Sequence, residues 1–372
     1  MKRTSVVLLI AASLLSPVHA EFSNFTFIAP RFNFRILGGP PVPTGADVEI
    51  RFPLSESGGA PLALSLRLGA GYEDGKLVRD PLDGNPIPAP ATFDDPARFD
   101  APNAQWDIGV VLGLIRGSVG NRLEAFLLYR GRWDVYRGGF STAVFPDARG
   151  IFGTALLAGL GYDSVRDLGR GLDTGAAAEA SVEWGPGFLA SGFGPVEYLR
   201  FNVSVRGYLP LVPERSALFP ILAPQLSARV SADAAFGPDQ PLFILQSFGG
   251  RYEGRALAGE VRGYPTRAYD ASLKAYGNLE LRIFGPALGP AAPVVLGFLD
   301  AGWYSGLHKS PTYGDASGTL ASAGAGLALG LGPAFHGGVY WGILFPGDDP
   351  LFPVYVTGGG RGFFSAMFTL HF

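Results

Sequence analysis

Apolar and polar residues alternate along most of the chain, in segments of about ten residues. In the segment 199–206, LRFNVSVR, the odd-numbered residues are apolar and the even-numbered residues are polar. The same period of two runs through 226–236. Because successive side chains of a strand point to opposite faces, each such segment predicts a strand with one apolar and one polar face.

A soluble β-sandwich would alternate in the same way, so other features must indicate the environment. The segments are close to the length of about 9–11 residues that a tilted strand needs to cross a bilayer. Aromatic residues near the segment ends are typical of interfacial girdles; they are Tyr72, Trp106, Tyr129, Trp133, Trp184, Tyr208, Trp303 and Trp341. The chain also ends on an apolar file that resembles the C-terminal assembly signal of outer-membrane barrels, formed by Phe364, Phe368, Leu370 and Phe372.

Composition agrees with an all-β protein in lipid. Charged residues are only 16% of the chain, whereas soluble domains have roughly 25%. The 54 glycines and 31 prolines among 372 residues are unfavourable for long helices. The chain has no cysteine, which excludes disulfides and thiolate metal sites, and its net charge of −3 gives no general attraction for nucleic acid.

One uncharged segment, 316–347, could also be interpreted as a transmembrane helix. Its nine glycines, with Pro333 and Pro346, argue against a helix. Small residues alternate with larger apolar ones over 322–331. We therefore predict two strands joined by a tight turn at 332–334.

Fifteen strands can be placed in this way, and the expected fold is a transmembrane antiparallel β-barrel. The strands are 22–37, 46–53, 61–72, 104–116, 121–133, 149–163, 174–185, 197–209, 225–236, 241–247, 277–285, 293–304, 320–331, 335–345 and 361–372. Bacterial barrels usually have an even number of strands. Short turns are expected on the periplasmic side of such a barrel and long loops on the outside. When the connections are assigned to these sides by counting strands from each end of the chain, the two assignments disagree between 186 and 236. We therefore expect one further strand there, within 186–196 or 213–222, which gives sixteen.

The first twenty residues have the features of a signal peptide. Lys2 and Arg3 precede an apolar run, 6–15, and small or medium residues before Glu21 form a cleavage site. The apolar run is too short to cross about 30 Å of hydrocarbon. We therefore expect residues 1–20 to be removed and 21–372 to form a single barrel domain in the bacterial outer membrane.

Four short motifs in the second half follow one another in a recognisable order. They are Phe248-Gly249-Gly250, Val261-Arg262-Gly263-Tyr264, Asn278-Leu279-Glu280-Leu281-Arg282 and Phe298-x-Asp300-x-Gly302. This order resembles the C-terminal part of the bacterial surface-antigen barrels, the BamA and two-partner-secretion type, over about 248–372. The resemblance implies sixteen strands, five of them after a long extracellular loop at 248–276 that folds inward.

The chemistry of these motifs indicates how such a loop would be held. An arginine folded into a barrel needs a carboxylate, and Asp300 is on the polar face of its predicted strand. Gly263 would allow a tight loop tip, and Tyr264 would pack against the wall. The alternative is an exposed Arg262 with Asp300 paired elsewhere.

The chain also departs from that family. Ten residues separate Gly250 from Val261, more than the family pattern has. The large members carry periplasmic POTRA domains before the barrel, whereas strand-like sequence here begins soon after Ala20. We therefore expect no POTRA domain, and the activity of the large members is not carried over directly.

Enzyme signatures are missing from the sequence. There is no P-loop, no G-x-S-x-G and no H-E-x-x-H motif. After cleavage the histidines are His308, His336 and His371, without metal-binding spacing, so no metal or cofactor is expected. Inward carboxylates share faces with arginines, which predicts a charge network rather than acid–base chemistry; the carboxylates are Glu124, Glu179, Glu183, Glu280 and Asp300, and the arginines are Arg130, Arg200, Arg206, Arg229 and Arg282.

Two functions remain open at this point. One is a surface-antigen-type barrel that handles polypeptide or membrane components with a separate periplasmic partner. The other is a passive, porin-like pore or a structural surface protein. In both cases we expect contact with outer-membrane lipid, and with the barrel assembly machinery during biogenesis.

We predict that deleting Phe372 lowers the amount of folded barrel, because the terminal aromatic residue would be read by the assembly machinery. The measurement is the heat-modifiable band in isolated outer membranes. Phe372→Trp, which keeps a terminal aromatic residue, is the matched control. Undiminished barrel from the deletion strain, or wild-type protein in the inner membrane, would contradict this assignment.

Overall fold

The computed structural model describes most of the chain apart from its N-terminal residues and several connections. The described residues are 26–28, 31–36, 44–55, 61–76, 98–116, 122–135, 137–138, 151–169, 171–189, 196–251, 256–264, 269–289, 291–307, 317–331, 335–345, 347 and 361–371. The predicted signal peptide and Phe372 lie outside them. Within these ranges, no helix is both long and apolar enough to span a membrane.

The described secondary structure is almost entirely β. The strands are β1 (Thr26–Ile28), β2 (Arg31–Ile36), β3 (Thr44–Ser55), β4 (Leu62–Lys76), β5 (Arg98–Arg116), β6 (Arg122–Asp134), β7 (Arg137–Gly138), β8 (Ile151–Asp163), β9 (Arg166–Asp167), β10 (Asp173–Gly185), β11 (Glu197–Pro210), β12 (Ala223–Asp239), β13 (Ala271–Phe284), β14 (Ala291–Leu307), β15 (Ser317–Leu331), β16 (Phe335–Phe345) and β17 (Gly362–His371). The helices are single turns, α1 (Leu242–Leu245) and α2 (Leu257–Glu260), with a 3-10 turn at Gly187–Leu189.

Antiparallel pairing connects the long strands in chain order. The two-residue strands β7 and β9 pair beside β5 and β10. At the ends of the chain, β17 pairs with β2, and β1 pairs with β3. The all-β, antiparallel fold class predicted from the sequence is therefore confirmed.

The predicted count of sixteen strands is not confirmed. With β1 and β2 counted together, and without β7 and β9, the seventeen strands reduce to fourteen. The predicted strand 241–247 is wrong, because Leu242–Leu245 forms α1. The described stretch 196–236 contains only β11 and β12, joined by turns, and no further strand.

The error at 241–247 has a physical cause. All four residues of α1 are buried, so this apolar run has no exposed face and no readable period. The amides of Ile244 and Leu245 donate to the carbonyl of Pro241, which closes a helical turn. Removing one strand from the fifteen makes the number even, and the two loop assignments then agree without a missed strand.

The two faces of the sheet are inverted relative to a soluble protein. In β11, Arg200 is 1% exposed and Asn202 is 3% exposed, whereas Phe201 is 43% and Val203 is 53% exposed. The polar residues therefore point into the interior and the apolar residues point outward. This arrangement is stable only when the outside of the sheet contacts lipid.

The connections differ in length between the two ends of the sheet. The connections 77–97 and 240–270 lie at one end, whereas the short connections 117–121 and 332–334 lie at the other. The predicted turn at 332–334 between β15 and β16 agrees with the strand bounds. Short turns are periplasmic in outer-membrane barrels, so the long connections are expected outside the cell.

Single cysteines can test this topology, because the chain has none of its own. Asp83→Cys and Asp95→Cys, in a connection outside the described residues, are expected to react with an impermeant maleimide in intact cells. The control is Ala217→Cys, an exposed position in the turn at the other end, which should react only after the outer membrane is disrupted. Labelling in the opposite order would reverse the orientation.

Candidate functional site

The described parts of the connection between β12 and β13, 240–270, lie inside the sheet, and this connection is called the inward loop. It is described over 240–251, 256–264 and 269–270. Leu257, Ala258 and Val261 are fully buried, and Tyr264 is 1% exposed. They pack in a core cluster with wall residues from β13 to β16, namely Ala271, Tyr276, Tyr304, Leu320 and Leu344. The interior of the sheet is thus partly filled by its own longest connection.

The structure places Arg262 directly against Asp300. Nε of Arg262 donates to Oδ2 of Asp300 over 2.6 Å, and Nη2 donates to Oδ1 over 2.8 Å. The backbone amide of Arg262 also donates to Oδ2, over 3.2 Å. This is the bidentate geometry in which guanidinium and carboxylate groups bind most specifically.

The register of β13 and β14 completes the contact. Asn278 lies opposite Asp300, and Glu280 lies opposite Phe298. Nδ2 of Asn278 donates to Oδ1 of Asp300 over 3.0 Å and to the carbonyl of Glu260, at the end of α2, over 2.8 Å. The N-L-E-L-R motif therefore supplies two residues of the site, although the sequence did not show their partners.

The guanidinium of Arg262 is enclosed on its remaining sides. Nη2 lies 2.8 Å from Oε1 of Glu280, and the guanidinium carbon lies 3.8 Å from the centroid of the Phe298 ring. Tyr340 adds a second ring at 5.5 Å. Burial alone would lower the pKa of Arg262, but the hydrogen bond and charge of Asp300, with Glu280, outweigh it and raise the pKa. The arginine is held as a cation.

The two residues after Arg262 fix the loop tip. Gly263 has φ +93°, and a Cβ there would lie 2.4 Å from the Phe363 ring, so glycine suits both the backbone and the space. The hydroxyl of Tyr264 lies 3.2 Å from the carbonyl oxygen of Phe345 on β16 and accepts a hydrogen bond from the amide of Ala321 on β15 over 3.3 Å.

The F-x-D-x-G spacing on β14 has a simple explanation. Residues two apart point to the same face of a strand, so Phe298, Asp300 and Gly302 all point inward. Phe298 lies against the guanidinium and Asp300 binds it. A Cβ on Gly302 would lie 2.8 Å from Cγ2 of Val261, so this glycine leaves the space that the loop occupies.

A second set of contacts holds the beginning of the loop. Residues Gly249 to Arg251 lie against charged and polar groups of β10, β11 and β12. The amide of Gly249 donates to Asp233 over 3.0 Å, and the amide of Arg251 donates to Glu179 over 2.5 Å. The carbonyl of Arg251 accepts from Arg67 on β4 and Arg130 on β6, each over 3.1 Å. Sequence reasoning missed Arg251, since no quoted motif includes it.

Of the inward arginines predicted to form a network, Arg130, Arg200, Arg229 and Arg282 contact carboxylates, whereas Arg206 is exposed. Nη1 of Arg130 lies 3.4 Å from Glu183, which also binds Arg200 and accepts from the Tyr198 hydroxyl over 2.6 Å. On the other side, Arg282 lies 2.6 Å from Glu280. These ion pairs belong to the walls, so they shape the interior that the loop enters. No group of three metal-ligating side chains occurs among the described residues.

The residues of the predicted assembly signal lie on or after β17. Phe364 is 54% exposed on the outer face. Phe368 and Leu370 occupy paired positions opposite Gly337 and Phe335 of β16. Their role in assembly stays a prediction, and Phe372 lies outside the described residues.

Comparison with solved structures identifies proteins of the same fold. BamA from Haemophilus ducreyi lacking POTRA domains 1–3 is 15% identical, with 99% of this chain and 79% of that chain covered and a TM-score of 0.50. CdiB from Escherichia coli is 16% identical, with 93% and 63% covered and a TM-score of 0.55. CdiB from Acinetobacter baumannii is 12% identical, with 94% and 60% covered and a TM-score of 0.50.

These neighbours show that the chain has the fold of the BamA and CdiB β-barrels. The resemblance seen in the motifs is thereby confirmed at the level of the fold. The chain spans less than two thirds of the length of either CdiB chain. No protein-family model and no curated protein matches the chain.

We predict that Arg262→Ala and Asp300→Ala each loosen the inward loop. Removing one partner of a buried pair leaves the other poorly compensated, at a cost of about 3–5 kcal/mol, less where water reaches it. The measurement is the rate of protease cleavage within 240–270 in the folded, detergent-solubilised barrel.

The double variant should be little worse than either single one, because the shared interaction is already lost. Arg206→Ala, which removes an exposed arginine of β11, is the control and should leave the cleavage rate unchanged. Strictly additive effects, or no effect, would show that this contact does not hold the loop.

Proposed function

We propose that this protein is a gated barrel of the BamA and CdiB type, which handles polypeptide or membrane components together with separate partners. In its resting state the inward loop occupies the interior. Passage or insertion requires the loop to leave part of that space. Its site of action is the bacterial outer membrane.

The single observation that carries this proposal is the reach of the loop across the interior. At its beginning, Arg251 contacts β4, β6 and β10. At its tip, Arg262 contacts β13 and β14, and Tyr264 reaches β15 and β16. A connection bound to walls this far apart in the strand order obstructs the space between them.

The chemistry of these contacts also supports a gate rather than a permanent core. The loop is held by hydrogen-bonded ion pairs as well as by apolar packing, and water and competing charges can replace the ion pairs once they are exposed. Apolar packing at Leu257 and Val261 supplements the ion pairs without replacing them. Such a loop can be released as a unit while the strand pairing of the barrel stays intact.

A passive pore would need an interior that stays open. The buried residues of the inward loop, with the charge pairs of the walls, occupy space that a porin would leave to water. The porin-like alternative is therefore the less favoured function, and it becomes an outcome of the test.

The test is single-channel recording in planar bilayers. The intact protein is expected to show rare openings, and deletion of 252–264 is expected to give a large, steady conductance. Shortening the 308–316 connection, on the same side of the sheet, is the matched control and should behave like wild type. A steady open pore in the intact protein would favour the porin-like function and overturn the gate.

A further inference from the structure

Arg251 occupies a site for a guanidinium group formed by strands other than those that bind Arg262. Arg251 is buried, with 9% of the residue's surface exposed. Nη1 of Arg251 donates to Oε2 of Glu124 on β6 over 2.9 Å, and its backbone amide donates to Oε1 of Glu179 on β10 over 2.5 Å. Its guanidinium carbon lies 5.0 Å from the centroid of the Phe126 ring.

The register of three strands forms this site. Gly161 of β8 lies directly opposite Glu124 of β6 on one side and opposite Glu179 of β10 on the other. Two carboxylates therefore flank a position that has no side chain. A Cβ at Gly161 would lie 3.3 Å from Nη2 of Arg251, so the glycine provides the floor on which the guanidinium rests.

Phe126 is placed by the same strand geometry. It is two residues after Glu124 on β6, so both side chains point inward. A planar cation above an aromatic face gains electrostatic attraction in addition to its ion pairs. The site thus combines carboxylates, an open floor and an aromatic wall, which are the features that bind arginine better than lysine.

Two glycines directly before Arg251 allow the loop backbone to come close to the strands. Gly250 has φ +106°, and a Cβ there would lie 2.8 Å from Oε1 of Glu179. A Cβ at Gly249 would lie 2.9 Å from Nε of Arg200. The two glycines let the backbone come close enough for Arg67 and Arg130 to donate to the carbonyl of Arg251.

From this geometry we propose that Arg251 is a second positioning residue, which latches the beginning of the inward loop to β6, β8 and β10 independently of Arg262. The loop then has two latches on different strands, and full opening requires both to be released. The consequence for gating rests on the proposed function, whereas the latch itself does not.

The latch is tested by protease cleavage within 240–270 of the folded barrel. Arg251→Ala is expected to raise the cleavage rate roughly ten-fold, the loss expected for charge-assisted hydrogen bonds. Arg251→Lys should rescue only in part, because an ammonium cannot reproduce the planar fork. Gly161→Ala should raise the rate less than Arg251→Ala, because a Cβ there would lie 3.3 Å from the flexible end of Arg251, which can shift slightly. Gly207→Ala, where a Cβ meets only one atom at 4.0 Å, should resemble wild type.

Chemical rescue separates this site from a general loss of stability. Guanidinium chloride at millimolar, non-denaturing concentration is added to Arg251→Ala, with tetramethylammonium chloride at the same ionic strength as the control. Guanidinium alone should restore slow cleavage. It should give no rescue when Glu124→Gln and Glu179→Gln are also present. Equal cleavage of Arg251→Ala and wild type, or equal rescue in all variants, would overturn the latch.

Conductance of the same variants separates the latch from the gate. If both hold, Arg251→Ala and Arg262→Ala each increase the open fraction, and the double variant multiplies the two effects, since the latches share no partner. If cleavage rises but conductance does not, the latch stands and the proposed gating fails. If only Arg262→Ala affects cleavage and conductance, the gate stands and the second latch is wrong.

Discussion

The structure depends on the mutual neutralisation of charges inside the barrel. Strands with apolar outer faces must turn their polar residues inward, where each buried charge requires a partner. Asp300, which has no exposed surface, meets this requirement for a partner. It accepts hydrogen bonds from the side chain and the backbone of Arg262 and from Asn278. Since one partner comes from the inward loop and the other from the wall, the loop and the wall stabilise one another.

This dependence explains why the longest connection is not an exposed loop. The loop carries cations to places where the wall presents carboxylates, and glycines in the loop or the wall leave room for them. At the Arg262 end Gly302 leaves room for Val261 and Leu257 of the loop, and at the Arg251 end Gly161 lies against the guanidinium itself. The same combination of carboxylate, glycine and aromatic ring therefore recurs on two walls, with Phe298 at one and Phe126 at the other.

The likeness to BamA and CdiB concerns the arrangement of strands, because identities of 12–16% show the fold alone. The functional argument comes from this chain's own side chains. A loop anchored by ion pairs at two points can leave the interior stepwise, whereas a loop held by apolar packing alone would have to expose its whole core at once. This difference in chemistry is what connects the geometry to a gate.

The sequence by itself determined most of the long strands and which face their side chains occupy. Alternation identified the inward positions of Arg200, Glu183 and Asp300, and the motif order placed Arg262 near a carboxylate. The uncharged stretch containing β15 and β16 was also correctly divided, because glycine and proline exclude a long helix.

Only the tertiary structure decided how these elements meet. The run at 241–247 carries no period, since all its sides are buried, and it forms α1 rather than a strand. The register that sets Glu124, Gly161 and Glu179 side by side, and so creates the site of Arg251, joins three strands distant in sequence. A period of two specifies the face on which a side chain lies, but it does not specify the residue opposite it on the next strand. That neighbour is fixed by the register in which the two strands pair.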